Sequence, residues 1–539
     1  MPRDESSSSS HRGSRHRRSG GRFAKAPAEV GSPGPESQGN ALPRDGSAGG
    51  VGTSVVDQFR GGPRRPPIHP LETALFFVVA AHLAMLPWAL GAVRLPTQVC
   101  SLALAVAGFV LALIPREHAA VPGGDPAFRL VLLPKLLRFP IFWLGLALLG
   151  LIVVQGLNPA WAFQTNGKAW WMSAVKHVAW LPTGVDVPFV APPNTPQGGP
   201  WRMLLIYSSA WLTVCSIWVG MTRRRTLQRL FLVLAGNGVA LALFGFAQIG
   251  LEARKVFWTI ETRAEFFSSF IYKNHAGGYL LLTLTMAAAL AAWHYVRSVR
   301  RLDKSSPAGL FAFFVTCIAV SIFISYARGA TFVMLAYLTV LVAAFTWFQW
   351  RLPAAARSPV ITIALLLVFG FFLKTGLQAV RTGRAWSELR AVWTTQDVSV
   401  KARQAANQGS LEMLKERGLG GVGAGGYQFL FPFHQKKIPQ LTNPPQFWQH
   451  AHNDVLQLPI ELGLAGTLLI VASFAYWAVV LLRNYAWQNP LSASVIVGLL
   501  FLVAMSWGEF IFYCPAILIT WCALWPAVAR WTVLEEARG

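Results

Sequence analysis

The feature that most constrains this chain is a series of apolar runs of about 20 residues, the length a helix needs to cross the hydrocarbon core of a bilayer. They fall at 71–91, 97–114, 138–157, 202–220, 228–250, 276–296, 308–325, 329–349, 359–378, 455–482, 490–509 and 513–530. Backbone polar groups find no water inside lipid, so runs of this length are helices. The expected fold is an all-α polytopic integral membrane protein with about 12 transmembrane helices, or ten or eleven if the tightly joined seventh/eighth and eleventh/twelfth pairs merge. Only 13% of residues are charged and 54% are hydrophobic, against roughly 25% charged in soluble domains. A soluble globular enzyme is excluded.

Residues 1–68 are rich in Ser, Gly, Pro and Arg and hold too little apolar surface to offset the entropy of ordering. A disordered basic cytoplasmic tail is expected there, without the apolar core of a signal peptide. Division at the composition shifts then gives N-terminal helices and a Trp-rich outer segment over 69–200, and a transmembrane core over 201–378. A large loop containing short helices spans 379–454, and the C-terminal helices span 455–539.

Lys and Arg outnumber Asp and Glu by 47 to 23. In a soluble protein that excess would suggest nucleic acid, but here it falls on alternate connections between spans and reads as topology, so no nucleic-acid partner is expected. Arg116, Arg129, Lys135 and Arg138, then Arg223, Arg224, Arg225 and Arg229, then Arg297, Arg300, Arg301 and Lys304, then Arg351 and Arg357, then Arg483 share one side. The positive-inside rule makes that side cytoplasmic, with both termini. The opposite face receives the Trp-rich 158–201 segment, the 251–275 loop, the Arg328 turn and the 379–454 loop. That last loop is itself basic, with Arg381, Arg384, Arg390, Lys401, Arg403, Lys415, Arg417, Lys436 and Lys437. Such a surface suits an anionic substrate at the interface or the headgroups of membrane lipids. The five cysteines show no metal-ligand spacing, so neither a disulfide framework nor zinc is expected.

Four segments on the motif-bearing side carry chemistry. Ser269-Phe-Ile-Tyr-Lys-Asn-His-Ala-Gly-Gly278 sets Lys273, Asn274 and His275 at the mouth of the sixth span, where cations also serve as snorkelling anchors. Ser325-Tyr-Ala-Arg-Gly-Ala-Thr331 sets Arg328 between two apolar runs, a position that usually faces a cavity or partner. A guanidinium fork fits phosphate oxygens there, and the plain alternative is an arginine at a tight turn. Ala402 to Arg417 reads as an extramembrane helix stopped by glycine. The run Gly418-Leu-Gly-Gly-Val-Gly-Ala-Gly-Gly-Tyr427 follows. Gly421, Gly423 and Gly426 satisfy G-x-G-x-x-G, but no strand precedes them, so a nucleotide site is rejected in favour of a turned loop whose amides a large substrate approaches. Finally, Gln449-His-Ala-His-Asn-Asp-Val-Leu-Gln457 holds His450 and His452 two residues apart, with Asn453 or Asp454 as N-cap of the next span. A metal would need further ligands from elsewhere; a histidine beside a carboxylate makes a general base, since free imidazole titrates near 6.5.

These motifs, in this order before the tenth span, resemble the O-antigen ligase and polymerase family of bacterial envelope glycosyltransferases over roughly 200–510. The resemblance rests on Tyr-Lys-Asn-His-Ala-Gly at 272–277, Tyr-Ala-Arg-Gly-Ala at 326–330, Arg403 with its helix, Gly-Val-Gly-Ala-Gly-Gly-Tyr at 421–427 and His-Ala-His-Asn-Asp-Val-Leu-Gln at 450–457. It implies a cofactor-free, metal-independent enzyme of the bacterial inner membrane. Such an enzyme takes a glycan from undecaprenyl diphosphate, on the periplasmic side, to an acceptor glycolipid or glycan. Ligases use a lipid A core sugar and polymerases another lipid-linked repeat unit. On the family pattern Arg328 matches the arginine that meets the diphosphate, His452 the essential histidine and Arg403 an outer-loop arginine. Lys273 would assist at the diphosphate, and Asn453 or Asp454 would orient His452. No family motif is recognised before about residue 200, where Trp161, Trp170, Trp171 and Trp180 cluster. The competing classes are a transporter, which would place its polar residues near the bilayer midplane, and an envelope scaffold.

Overall fold

The computed structural model of the protein describes residues 68–118, 128–192, 195–262, 264–303, 305–353, 398–442 and 447–536, with a few positions between 363 and 374. The expected tail, the span expected at 359–378 and the 379–397 part of the large loop fall wholly or mainly outside the described residues.

The apolar runs become helices, and proline sets where many of them begin. Pro70, Pro140, Pro200, Pro490 and Pro515 each open one, a position where a missing N–H costs nothing. The long helices are α1 (Pro70–Trp88), α2 (Leu95–Leu113), α4 (Pro140–Leu157), α5 (Pro200–Gly220), α6 (Arg224–Gly250), α7 (Lys273–Arg301), α9 (Arg328–Arg351), α13 (Asp454–Arg483) and α15 (Pro515–Glu536). Among the described residues these nine are long and apolar enough to cross a membrane, and α8 (Ala308–Ile324) and α14 (Pro490–Met505) are shorter apolar helices. The chain is thus a mostly helical, polytopic membrane protein. A short α3 (Leu133–Leu137) precedes α4.

Helix α7 is the axis of the bundle. Its apolar window is 83% buried, as is that of α15, whereas those of α9 and α13 are only 11% and 17% buried. A helix apolar all round belongs inside a bundle or against lipid, and small residues decide which. A Cβ added at Gly277 of α7 would lie 2.6 Å from Ala330 Cβ and 2.8 Å from Ala327 Cβ. That close approach presses α7 onto the start of α9.

At one end of the bundle Glu72 is fully buried. It accepts from Thr222 N (3.0 Å), Arg223 N (2.9 Å) and Thr226 Oγ1 (2.8 Å) and pairs with Arg116 at 3.1 Å. Lys135 Nζ donates to Trp218 O at 3.0 Å. Several of the basic residues that read as topology signals therefore meet here, at the opposite ends of α1 and α15 from the motif segments.

The structure departs from an all-α reading. Arg116–His118 (β1) pairs antiparallel with Phe128–Leu130 (β2). The Trp-rich segment forms a three-stranded sheet in the order β4-β3-β5, from Pro159–Thr165 (β3), Trp170–Ala174 (β4) and Gly184–Asp186 (β5). β3 and β4 are joined at Asn166-Gly167, where Asn166 Oδ1 accepts from Lys168 N and Ala169 N, a strong hairpin signal in sequence. The sheet shares an apolar core, including Met172, Val185, Met413, Phe429 and Trp448, with α10 (Val398–Arg417) and α11 (Tyr427–Gln435). Two loops more than 200 residues apart in sequence thus make one cap, and a short α12 (Pro439–Thr442) completes it.

Candidate active site

Four of the motif segments converge on a residue none of them contains. Glu509 follows α14 in the turn Ser506-Trp-Gly-Glu-Phe510 and is 6% exposed. Asn274 Nδ2 donates to its Oε1 at 2.8 Å and Tyr272 Oη to its Oε2 at 3.3 Å. Arg403 Nη2 pairs with Oε1 at 3.1 Å, and Arg403 Nη1 reaches Gly508 O at 3.5 Å. His452 Nδ1 faces Oε2 at 3.5 Å, an ion-pair distance rather than a tight hydrogen bond. A Cβ at Gly329 would lie 3.8 Å from Glu509 Cγ, so the turn carrying Arg328 lies beside the Glu509 side chain. Burial works to raise the Glu509 pKa. The imidazole of His452, the charge of Arg403 and the amide of Asn274 outweigh it and hold the carboxyl below its usual range.

The backbone is bent to bring these groups together. His452 and Tyr326 both lie in the left-handed region, each at φ 53°, a conformation that is uncommon outside glycine and clusters at functional sites. Phe510 supplies the packing surface. Tyr272 and His450 stack on it at 5.3 and 4.4 Å, and His275 and His452 meet it edge-on at 5.0 and 4.7 Å. Trp448 closes the other side of His452 at 5.5 Å. His452 Nδ1 is buried while the side chain keeps 21% exposure, so Nε2 is the nitrogen left to meet a substrate.

Other expected site residues are placed differently. Asn453 is the N-cap of α13, accepting from Leu456 N at 3.1 Å. Asp454 is buried and accepts from Phe512 N at 2.8 Å, tying α13 to the turn after α14. The carboxylate that faces His452 is that of Glu509. His450 turns away to Gln457, 3.3 Å from its Nδ1, and Gln457 donates to Glu461 at 3.0 Å. Burial, with the neighbouring His275 and His452, lowers the His450 pKa to about 3. His275 contacts Phe510 O at 3.2 Å through Nε2. Lys273 pairs with Glu265 rather than Glu509. Lys273 and the more distant Arg328 hold the Glu265 carboxyl below its usual range.

The glycine run does not offer its amides to a ligand. Gly421 N donates to Arg417 O, Val422 N to Ile460 O, Gly423 N to Glu461 O and Gly425 N to Glu461 Oε2. Gly421 and Gly423 have φ of 75° and 93°, and a Cβ on either would lie 2.5 Å from Glu461 O or Gly184 Cα. They serve the seam where the cap meets α13, whose helix breaks at Gly463. Among the described residues no group of three His, Cys, Asp or Glu side chains is placed to hold a metal ion.

Sequence reasoning missed Glu509 and Phe510. The available signal was that Glu509 is the one acid between residues 490 and 534, and an ionisable residue within an apolar stretch is a site candidate by default.

The fold defines the class of a mostly helical, multispanning membrane protein. A model of the O-antigen ligase family matches residues 311–471. The matched part of the chain runs from α8 into α13 and includes Arg328, Arg403 and His452. No curated protein matches the sequence.

Proposed function

We propose that the protein transfers a glycan from undecaprenyl diphosphate to a lipid A core sugar on the outer face of the inner membrane. Inversion at the anomeric carbon follows from direct displacement without a metal. The observation that carries this is the convergence of His452, Arg403 and the Arg328 turn around one buried carboxylate. With the hydrogen of Nδ1 turned toward Glu509, His452 Nε2 takes the proton of the acceptor hydroxyl. The hydroxyl oxygen attacks the anomeric carbon. The bond from that carbon to the phosphate oxygen breaks, and the diphosphate leaves with its electron pair. Arg328 and Arg403 stabilise the charge that develops on it. Arg403 is shared between Glu509 and the phosphate, so Glu509 positions both the base and one of the cations. Arg328→Lys should impair turnover strongly, because a point charge does not reproduce the fork; near-normal activity in that variant removes Arg328 from the mechanism.

The test is to supply His452→Ala as the only copy in cells and follow lipid-linked glycan and surface polysaccharide. Accumulation of full-length lipid-linked chains with none on lipid A supports ligation, whereas accumulation of single repeat units shows a polymerase. If neither changes while the variant inserts normally, the catalytic reading falls.

A further inference from the structure

The loop between α6 and α7 borders an open cavity of about 270 Å³, lined in part by Gln248, Glu252, Glu265, Phe266 and Phe267. Its floor holds an anomaly. Gln248 is 3% exposed, and neither Oε1 nor Nε2 of its carboxamide has a hydrogen-bond partner. A buried polar group left unpaired is destabilising, a cost that leucine in the same helix would not carry.

The rest of the lining says what would satisfy that carboxamide. Glu252 and Glu265 bring carboxylate acceptors to the cavity, and no Lys or Arg is among the described residues that line it. A phosphate would be repelled there, while hydroxyl groups would be bound. Phe266 and Phe267 offer aromatic carbon for the C–H face of a ring. Glu252 stands at φ 48° just after α6, where glycine is the usual residue, so the carboxylate is kept at the rim despite a strained backbone. At this volume the cavity lies just under the roughly 300 Å³ at which ligand clefts begin and takes one ring rather than a chain. Glu265 is a shared wall, because it also pairs with Lys273 and feels the charge of Arg328.

We propose that this cavity is a subsite for one neutral sugar ring of the lipid-linked donor, bound by the Gln248 carboxamide and the Glu252 and Glu265 carboxylates. The inference rests on the glycosyltransferase reading above for the identity of the donor. It commits to the donor because the shared wall faces Lys273 and Arg328, not His452.

The probes are lipid-linked glycan extracted from source cells lacking the protein, and undecaprenyl diphosphate without sugar. Binding of each to the full chain in nanodiscs is compared for the wild type, Gln248→Leu and Glu252→Gln, alongside transfer kinetics. Each variant should weaken binding of the glycan-bearing lipid about tenfold and leave that of the bare lipid unchanged. Gln248→Leu should melt no lower than the wild type, which separates lost recognition from misfolding. Unchanged affinity for the glycan-bearing lipid in both variants overturns the proposal, as does a rise confined to the KM of the acceptor. If the wild type binds the donor through Gln248 but transfers nothing, the subsite stands and the transfer reading fails.

Discussion

Two histidines two residues apart end in different circumstances, and the contrast separates a closed arm from an open one. His450 leads inward, through Gln457 to Glu461, which also accepts from Gly425 N (2.7 Å), Tyr427 N (3.3 Å) and Tyr513 Oη (2.8 Å). Gln457, Glu461, Gly425 and Tyr427 are buried and His450 and Tyr513 half-buried, and the carboxylate of that arm is spent on backbone amides and a phenol of the protein itself. His452 leads to Glu509, whose partners His452 and Arg403 keep 21% and 34% exposure. A closed carboxylate of the first kind holds a fold together. An open one, gathering ionisable side chains at an edge, leaves them able to exchange partners with a substrate.

The largest expected effect tests the open arm. Glu509→Gln keeps the shape and an acceptor for Asn274 but removes the charge that orients His452 and holds Arg403. Transfer should fall about 10³-fold, within the range for a general base that loses its setting and equivalent to about 4 kcal/mol of barrier. The melting temperature should change little. Transfer within tenfold of the wild type, measured on purified protein with extracted donor, would remove Glu509 from the site.

Glu461→Ala should do the reverse. It strands four donors in a dry interior, so a loss of about 3 kcal/mol in stability is expected, seen as a lower melting temperature in detergent and proteolysis within 418–427. A variant that melts like the wild type would show that the seam is held by glycine packing alone.

The closed arm also makes an acid-stability prediction. The folded pKa of His450, about 3, lies below its unfolded value of about 6.5, so the unfolded chain takes up the proton first. Stability is fully present above about pH 6.5 and is lost as pH falls toward 3, at up to about 1.4 kcal/mol per pH unit from this residue. His450→Phe preserves the stacking on Phe510 and should flatten that limb of the melting-temperature profile while leaving transfer within about threefold. An unchanged limb would assign the acid sensitivity to other groups.

What the sequence reveals of this comparison follows from what is local. Run length and proline placed the helices of the described spans closely; 71–91 became Pro70–Trp88, and 138–157 became Pro140–Leu157. Arg224 and Arg225 begin α6 ahead of its apolar run because Arg favours helix, and Arg300 and Arg301 carry α7 past its run, where the last carbonyls also need donors. The Asn453 cap was legible from its residue type. The roles of His450 and His452 were not, since spacing brings both to one place and only the contacts from α7, α10 and the turn after α14 separate them. The hairpin of the Trp-rich segment was legible at Asn166-Gly167 and overlooked, because aromatic residues beside a membrane read first as interfacial anchors.

The smallest effect sharpens the outer boundary of the open arm. Lys273 was expected at the diphosphate, but its ammonium pairs with Glu265, whose carboxylate is 77% exposed. A pair this open contributes about 0.5 kcal/mol or less, so Lys273→Ala should leave the melting temperature nearly unchanged. The question is what transfer does. If the pair is only a surface clasp between the loop after α6 and the start of α7, the rate at saturating donor should stay within about threefold of the wild type. The cost would then appear in the KM for the donor, because Glu265 loses its cation and stands more strongly negative beside the diphosphate. A fall in kcat of a hundredfold would instead mean that Lys273 leaves Glu265 during turnover and joins Arg328 and Arg403 on the leaving group, moving the boundary of the catalytic arm outward by one cation.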